Sequence, residues 1–482
     1  MSITYPGVYT QEVPSPLHAI GGVPTSLTAF LGRAPMGPVA TPVVCNSLAD
    51  VHRLFGPDWT GAPMGQSLSD FFVNGGTAAL VIRLAAEGAA ASGLQPGGLP
   101  LVAADPGAWG NSLTATVTSV AADGTFTLEA SLVLGGQTLT EVLAGLSIDA
   151  TDKSQRVDLV LATDSRFLRV APDGHGQPLL PAAPPAPGAT ATGAGGMDSP
   201  ALSAQDLTDG LSALDQAAAF NLLVIPPDQP GQDIPVTVWQ SAAACCQARR
   251  AFLLVDPPAA WTSAKAAADQ QTATPLMSPD LGRNAAVYFP AVLHETPFPP
   301  SGVVAGVYAA TDIQTGVWKA PAGLLAALNG INGLALALTD ADSDLLNPAG
   351  INALRSFPNY GPVIWGARTL AGAALTSDDF RYVQVRRLFL YIEDSIQAGC
   401  QWTVFEPNGP ALWAQLRLQI STFLQSLMNQ GAFLSFNVAC DASTTTPAGI
   451  DQGVANVLIS IAPILPAEFV VIQIQVTTAG AS

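Results

Sequence analysis

The sequence predicts a multidomain chain of mixed α/β and α+β class, and three observations carry that expectation. Its 482 residues exceed one ordinary domain and suggest about three. Strand and helix patterns alternate between residues 222 and 289, which implies a mostly parallel sheet with helices on its faces. Ahead of that region, residues 85–199 carry threonine-rich alternating segments that read as a separate, inserted β-rich domain. Charged residues make up only 11% of the chain and hydrophobic ones 49%, with a formal net charge of −18, so the charged fraction is about half the usual one. This much apolar material excludes a disordered chain. No Lys/Arg run is present to neutralise phosphates, which excludes a basic nucleic-acid binder. A large aliphatic chain with sparse charge fits a protein whose surface meets other protein.

Taken in order, the chain opens with β-formers at Val8, Tyr9, Thr10, Gln11, Glu12 and Val13, bounded by Pro6-Gly7 and Pro14; they read as one short strand with no hairpin partner nearby. Residues 23–32 form a second strand, ended by Arg33-Ala34-Pro35. A helix is expected over 48–55 with Ser47 as N-cap, another over 64–74 stopped by Gly75-Gly76, and a buried strand over 79–83. Within the inserted region, 113–120 and 125–134 read as strands joined by the turn Ala121-Ala122-Asp123-Gly124, and 158–170 as a further strand. Residues 178–200, rich in Ala, Pro and Gly and almost without charge, read as a flexible loop or linker.

The middle of the chain has a strand at 222–225 stopped by Pro226-Pro227, a helix over 236–250, and strands at 252–255 and 287–289. Residues 300–323 carry Gly302, Gly306 and Gly316 and give no clear element. The longest apolar stretch, 324–338, is broken by Asn329, Gly330, Asn332 and Gly333; it is too short to span a bilayer and reads as a buried helix–turn segment. The last third opens with a strand at 363–368. A helix over 377–398 follows, capped by Ser377 with Asp378 and Asp379 in its first turn, where the helix dipole favours acids. A strand at 402–405, a helix over 411–429 and strands at 433–439, 457–461 and 469–476 complete a mixed sheet.

Signatures of catalysis are missing. His18, His52, His175 and His294 form no paired-histidine zinc motif, no G-x-S-x-G elbow occurs, and the dipeptide Gly-Lys of a phosphate-binding loop is absent. After Ile225 two prolines stand where a dinucleotide fold needs glycines. Cys45, Cys245, Cys246, Cys400 and Cys440 lack metal-ligand spacing and fit reduced, buried thiols of a cytosolic chain. The N-terminus has no basic region followed by an apolar run, so no secretory signal is expected. The expectation is a non-enzyme with no cofactor, no metal, no nucleic-acid partner and no stable membrane insertion.

Two features invite a binding role. At the C-terminal end, Phe469, Val470, Val471, Ile472, Gln473, Ile474, Gln475 and Val476 form a strand in which Ile472, Ile474 and Val476 alternate with Gln473 and Gln475. Together with residues 8–13 it leaves sheet edges that pair either within the subunit or, by β-augmentation, with a neighbour. Ten extended residues reach roughly 33 Å, enough to cross into another subunit. In the helix over 377–398, Arg381 has Asp378 three residues before it, whereas Arg386 and Arg387 have no acid three or four positions away. They are either solvated or paired elsewhere in the fold, or they meet an acidic partner surface. Charge is uneven: residues 351–482 hold six basic and eight acidic side chains, leaving −16 of the −18 on the rest of the chain.

Several blocks of the sequence resemble the sheath protein family of contractile tails, which includes phage tail sheaths, injection systems and contractile bacteriocins. They are Tyr5-Pro-Gly-Val-Tyr9 with Glu12-Val-Pro14, Val23-Pro-Thr-Ser-Leu27, and Phe30-Leu-Gly-Arg33-Ala-Pro-Met-Gly37-Pro38 near the start. Pro300-Ser-Gly302-Val-Val-Ala-Gly306, Gly316-Val-Trp-Lys319-Ala-Pro321 and Trp365-Gly-Ala-Arg368-Thr follow. The run Tyr382-Val-Gln-Val-Arg-Arg387-Leu, Ile392-Glu393, Gln401-Trp402, Phe405-Glu406-Pro-Asn408 and Leu412-Trp413 is the most specific. Asp451, Asn456-Val-Leu458, Ala462-Pro463 and Pro466-Ala-Glu468-Phe-Val470 close the series. The blocks cover residues 1–84 and 285–482 in the family's order. One departure is that Gly431 runs almost directly into Phe433, where many relatives carry a longer loop, so contacts of that loop are not carried over.

The resemblance implies a structural subunit that polymerises as helical stacked rings around an inner tube and contracts to drive the tube through a target membrane. Subunits would be linked by exchange of the terminal strands, with Arg386 and Arg387 as candidate contacts to the inner tube. Implied partners are further copies of the chain, the inner tube protein, and baseplate and tail-terminator or cap proteins. The implied setting is a phage tail or tail-like particle assembled in a bacterial or host-cell cytoplasm. The implied domains are an N-terminal arm (1–20) and a mixed-sheet assembly domain built from both chain ends (21–84 with 351–482, its terminal strand arm at 467–482). Between them lie a β-rich outer domain (85–200) and an α/β middle domain (201–350). Another strand-exchanging structural assembly, or a divergent α/β enzyme, stays open as the alternative.

Overall fold

Short strands buried on both faces lack any polar alternation, and that is what the centre of a parallel sheet requires. Thr28–Gly32, Ala79–Arg83, Leu222–Val224, Phe252–Val255 and Ala285–Phe289 are buried at every position. They lie in one eight-stranded sheet whose order is Gly361–Ile364, Ile351–Phe357, Ala285–Phe289, Phe252–Val255, Leu222–Val224, Thr28–Gly32, Ala79–Arg83, Val43–Cys45. The inner pairings are parallel, while the two outermost strands run antiparallel to their neighbours. The computed structural model describes residues 19–149, 151–372 and 379–468. Its chain divides into two units, Pro24–Arg387 and a smaller one made of Met1–Val23 with Leu388–Ser482.

This sheet draws its strands from two of the expected domains. Residues 28–83 and 351–364, expected together in one domain, supply five strands of this sheet, and residues 222–289 supply the other three. The reason is chemical: Ala29, Leu31, Leu80 and Ile82 share one apolar core with Leu223, Leu253 and Val287.

Residues 300–323, which gave no element from sequence, contain the helix Ser301–Gln314, buried from Ser301 through Ala309. Its glycines explain both the missed pattern and the packing. A β-carbon at Gly302 would lie 2.5 Å from the Ser67 carbonyl oxygen, and one at Gly306 would lie 2.5 Å from that of Phe71. Two glycines one turn apart therefore let this helix touch the backbone of the helix Met64–Val73. Its N-terminus is held by Asp256, which follows the strand Phe252–Val255: the Ser301 N–H and hydroxyl donate to the two carboxylate oxygens at 3.0 and 2.8 Å.

The inserted region is a four-stranded antiparallel sheet ordered Thr190–Thr192, Leu113–Val120, Phe126–Leu134, Gln137–Leu146. Two expectations are corrected here. Residues 178–200 are not a free linker, because Thr190–Thr192 pairs with residues 114–116. The expected strand over 158–170 is instead the helix Val157–Asp164 followed by the strand Leu168–Val170. Two arginines fasten the insertion to the core sheet. Arg33 donates to Asp228 at 2.6 Å and to the Ser199 carbonyl at 2.9 Å, and Arg83 donates to the carbonyls of Gly37 and Pro106, each at 2.6 Å. Burial pulls the Arg83 pKa down to about 10, with Asp105 and Asp198 opposing the fall.

Residues 324–338 form irregular chain with a two-residue strand, Gly333–Leu334, in place of the expected helix–turn; the glycines and asparagines that break the run prevent a helix. In the smaller unit, the helix Pro410–Asn429 packs along the strand Phe433–Ala439, which pairs antiparallel with Leu458–Pro463. Leu412, Trp413, Leu416 and Cys440 form the core there. Residues 402–405 are not a strand: Gln401–Thr403 is a single 3-10 turn. From the other end of the chain, the Val23 N–H donates to the Ser395 hydroxyl at 3.2 Å. The helix expected from Ser377 begins at Val383; Ser377 and Asp378 lie outside the described residues.

Candidate functional site

Backbone hydrogen-bonding capacity left open at a sheet edge is the chemistry by which one chain binds another. In the larger unit, the edges of the core sheet and of the inserted four-stranded sheet are closed off. At one end of the core sheet, Gly361–Ile364 is covered by loop 323–328: the Ile364 N–H donates to the Ala326 carbonyl at 3.0 Å and the Leu328 N–H to that of Pro362 at 2.9 Å. At the other end Val43–Cys45 offers only three residues. In the insertion, the outer strand Gln137–Leu146 carries Glu141 opposite Ala130, on the core-facing side. Its carboxylate accepts from the Ser165 hydroxyl and the Arg166 N–H. An inward charge on an outer strand deters further pairing. The opposite edge, Thr190–Thr192, is again three residues long.

The smaller unit is built the other way. Phe433–Ala439 and Leu458–Pro463 make a two-stranded ribbon, and among the described residues neither strand has a second neighbour. Neither carries a charged side chain. A two-stranded ribbon alone is marginal in water; here one face rests on the helix Pro410–Asn429, while Leu434 and Leu458 stand exposed. The two strands can accept a further strand on either outer edge through main-chain bonds, with nothing in their side chains to repel it.

The expected donors of such strands, residues 8–13 and 469–476, lie outside the described residues. Arg386 and Arg387, the candidate inner-tube contacts, have partners within the subunit, as the tertiary-pairing alternative expected. Arg387 is 4% exposed. It forms an ion pair with Asp312 at 2.6 Å, donates to the Thr25 carbonyl at 2.9 Å and lies over the Tyr308 ring at 4.9 Å. Arg386 donates to the Asn284 side chain at 2.9 Å and lies over the Phe380 ring at 4.7 Å. The acids absent from the helix surface are replaced by a tertiary partner, so the guanidinium of Arg387 acts inside its own unit.

Among the described residues, the polar groups elsewhere are scattered. Among the described residues no three His, Cys, Asp or Glu side chains are grouped to hold a metal ion. His294 Nε2 lies 3.1 Å from Asp70 Oδ2, and the Ser67 hydroxyl, on the same helix as Asp70, is buried with no hydrogen-bond partner and so is not bonded to the pair. Burial pushes the Cys45 thiol up to about 11, with Asp50 adding to the rise, and it raises Cys246 well above the usual thiol value; neither is a thiolate at neutral pH.

Two family models match this chain. The one described as the phage tail sheath protein central domain matches residues 201–370, and that for the phage tail sheath C-terminal domain matches residues 376–477. Together they span more than half of the chain. The chain belongs to the phage tail sheath family. Among sheath relatives, the tail sheath protein of Burkholderia phage BcepMu is 27% identical over 463 residues, covering 90% of this chain and 89% of that one. The tail sheath protein of Vibrio phage KVP40 is 28% identical over 184 residues; this stretch is 38% of the present chain and spans only 27% of the length of the KVP40 protein. Among solved structures, the sheath complex of an extracellular contractile injection system in its contracted state matches with a TM-score of 0.60 at 22% identity, covering 98% of each chain. That likeness establishes a sheath-type fold. In this sheath protein residues 1–200, including the β-rich insertion, fall outside both matched models.

One feature of the smaller unit departs from the sequence expectation. Phe405, expected at the end of a strand, projects into solvent from the loop after the 3-10 turn. The proline at 407 next to an asparagine and glycine is a turn signal that argues against a strand there.

Proposed function

We propose that this chain is the structural subunit of a contractile sheath. It polymerises as helical stacked rings around an inner tube and contracts to drive the tube through a target membrane. The observation that carries the reading is the uncharged ribbon Phe433–Ala439/Leu458–Pro463, which among the described residues has no further strand on either outer edge, in a molecule whose core and inserted sheets have edges that are covered, short or blocked. The ribbon receives the terminal segments 8–13 and 469–476 of neighbouring subunits, so rings stay joined while subunits move. Family membership and the sheath-type fold support the same reading. The partners are further copies of this chain, an inner tube protein, a baseplate and a terminator or cap. The particle is a phage tail or tail-like machine assembled in the cytoplasm. The work of contraction comes from surface newly buried between subunits, with no chemical step on the chain.

Deleting residues 469–482 tests the strand exchange. Electron micrographs of the purified full-length chain are expected to show hollow tubes, whereas the truncated chain gives soluble subunits with an unchanged circular dichroism spectrum. Long tubes from the truncated chain would refute the exchange.

A further inference from the structure

Two independent penalties meet at one residue of the smaller unit. The ring of Phe405 is wholly exposed, with Val404 beside it also exposed. Its backbone sits at φ +72°, in the left-handed region that a β-carbon disfavours. A strained backbone displaying an apolar ring to water points to a use for that ring.

The loop is held in this form. The Glu406 N–H donates to the Thr403 carbonyl at 3.1 Å, and the Thr403 hydroxyl donates to that of Cys400 at 2.8 Å. Beyond the ring, the Trp413 indole N–H donates to the Asn408 side-chain oxygen at 2.8 Å, and the Asn408 amide donates to the Val454 carbonyl at 3.0 Å. Anchored on both sides, the backbone that carries Phe405 has little conformational freedom left to lose on binding, which lowers the cost of using the ring as a contact.

We propose that Phe405 is the anchor of a contact between two copies of this chain, seating against apolar surface of a neighbouring subunit. Two features select a second copy. The brace through Asn408 ends on Val454, and from there the chain runs four residues into the ribbon strand Leu458–Pro463, with Val454 and Leu458 themselves exposed. The loop that presents the ring is thus hydrogen-bonded to the segment that leads into this ribbon strand. Second, the chain carries 36 acidic residues against 18 basic ones, so copies repel one another and meet best through uncharged surface. Residues 399–440 supply that surface, holding only Glu406 and Arg417 as charged groups. This inference rests on the sheath reading for the existence of a neighbour, and it adds a side-chain contact separate from strand exchange.

The test compares the full-length chain with Phe405→Gly and with a photo-crosslinking p-benzoylphenylalanine at position 405. Glycine accepts φ +72° without strain and no buried ring is lost, so the thermal midpoint of the soluble subunit is expected to hold or rise. The protein concentration needed to form tubes is expected to rise about tenfold or more. Irradiated tubes of the photo-crosslinking chain are expected to give crosslinks from position 405 into a second copy, identified by mass spectrometry of mixed isotope-labelled chains. Tubes from Phe405→Gly at the wild-type threshold would overturn the contact while leaving the sheath reading intact. Crosslinks confined to the same chain, to an added inner tube protein, or to phosphatidylglycerol vesicles would overturn it too. A wild-type chain that forms no tubes defeats the sheath reading itself, and the crosslink at 405 then still decides whether two copies meet there.

Discussion

Asp256 shows how a single side chain sets a measurable property of the larger unit. Its carboxylate caps the buried helix Ser301–Gln314. Burial pushes its pKa up to about 7, although both hydrogen bonds from Ser301 pull the other way. In the unfolded chain a carboxyl titrates near about 4. The folded state thus holds the proton more tightly, so the stability this group contributes is complete below that value and is lost as pH rises through about 7. Burial also raises Asp70 and Asp105, which act in the same direction. The thermal midpoint of the larger unit is expected to fall by several degrees between about pH 5 and pH 8, and Asp256→Asn should remove much of that slope. Calorimetry across this range checks it; an equal slope in the variant would contradict the assignment.

Among the elements, the helix Ser301–Gln314 illustrates both what the sequence conceals and how little change the packing tolerates. Gly302 approaches the carbonyl of Ser67 so closely that an added β-carbon meets only backbone, at 2.5, 2.9 and 3.0 Å. Gly302→Ala gains about 1 kcal/mol in helix propensity but forces the two helices apart, and overpacking of this kind costs about 1–3 kcal/mol. Because backbone cannot rotate away, the steric cost wins, and denaturant unfolding should show a net loss of stability with an unchanged slope. A stabilised variant would mean that the helices separate freely. The same glycines hid the helix, since their pattern reflects a neighbour far away in sequence. Where local signals suffice, the reading is close: Leu48–Phe55 with its Ser47 cap, Ala79–Arg83, Leu113–Val120, Phe252–Val255 and Phe433–Ala439 all stand where periodicity and turn residues put them. The partner of Arg387 was not legible, because Asp312 lies 75 residues away. Nor was it legible that the ribbon has no second neighbour among the described residues, which depends on where distant parts of the chain pack.

For the molecule as a whole, the sparse and acidic charge governs how copies can meet. Many of its cations are committed inside their own subunit: Arg33 to Asp228, Arg156 to Asp158, Arg355 to Asp340 and Arg387 to Asp312, all at 2.6 Å. The ribbon strands and the Phe405 loop, through which neighbours are proposed to associate, hold almost no charge. Assembly therefore sets apolar and main-chain contacts, which salt scarcely weakens, against repulsion between subunits that each carry −18. Salt shortens that repulsion from a Debye length of about 30 Å at 0.01 M to about 8 Å at 0.15 M. The concentration of chain needed to form tubes is thus expected to fall as sodium chloride is raised from about 0.01 to 0.15 M, as read by light scattering and confirmed by electron microscopy. Were the subunits joined chiefly by ion pairs, the same titration would raise that concentration, so the sign of the change separates the two modes of assembly. A fall would place the driving force in the uncharged edges of the smaller unit, where main-chain pairing meets the least electrostatic opposition.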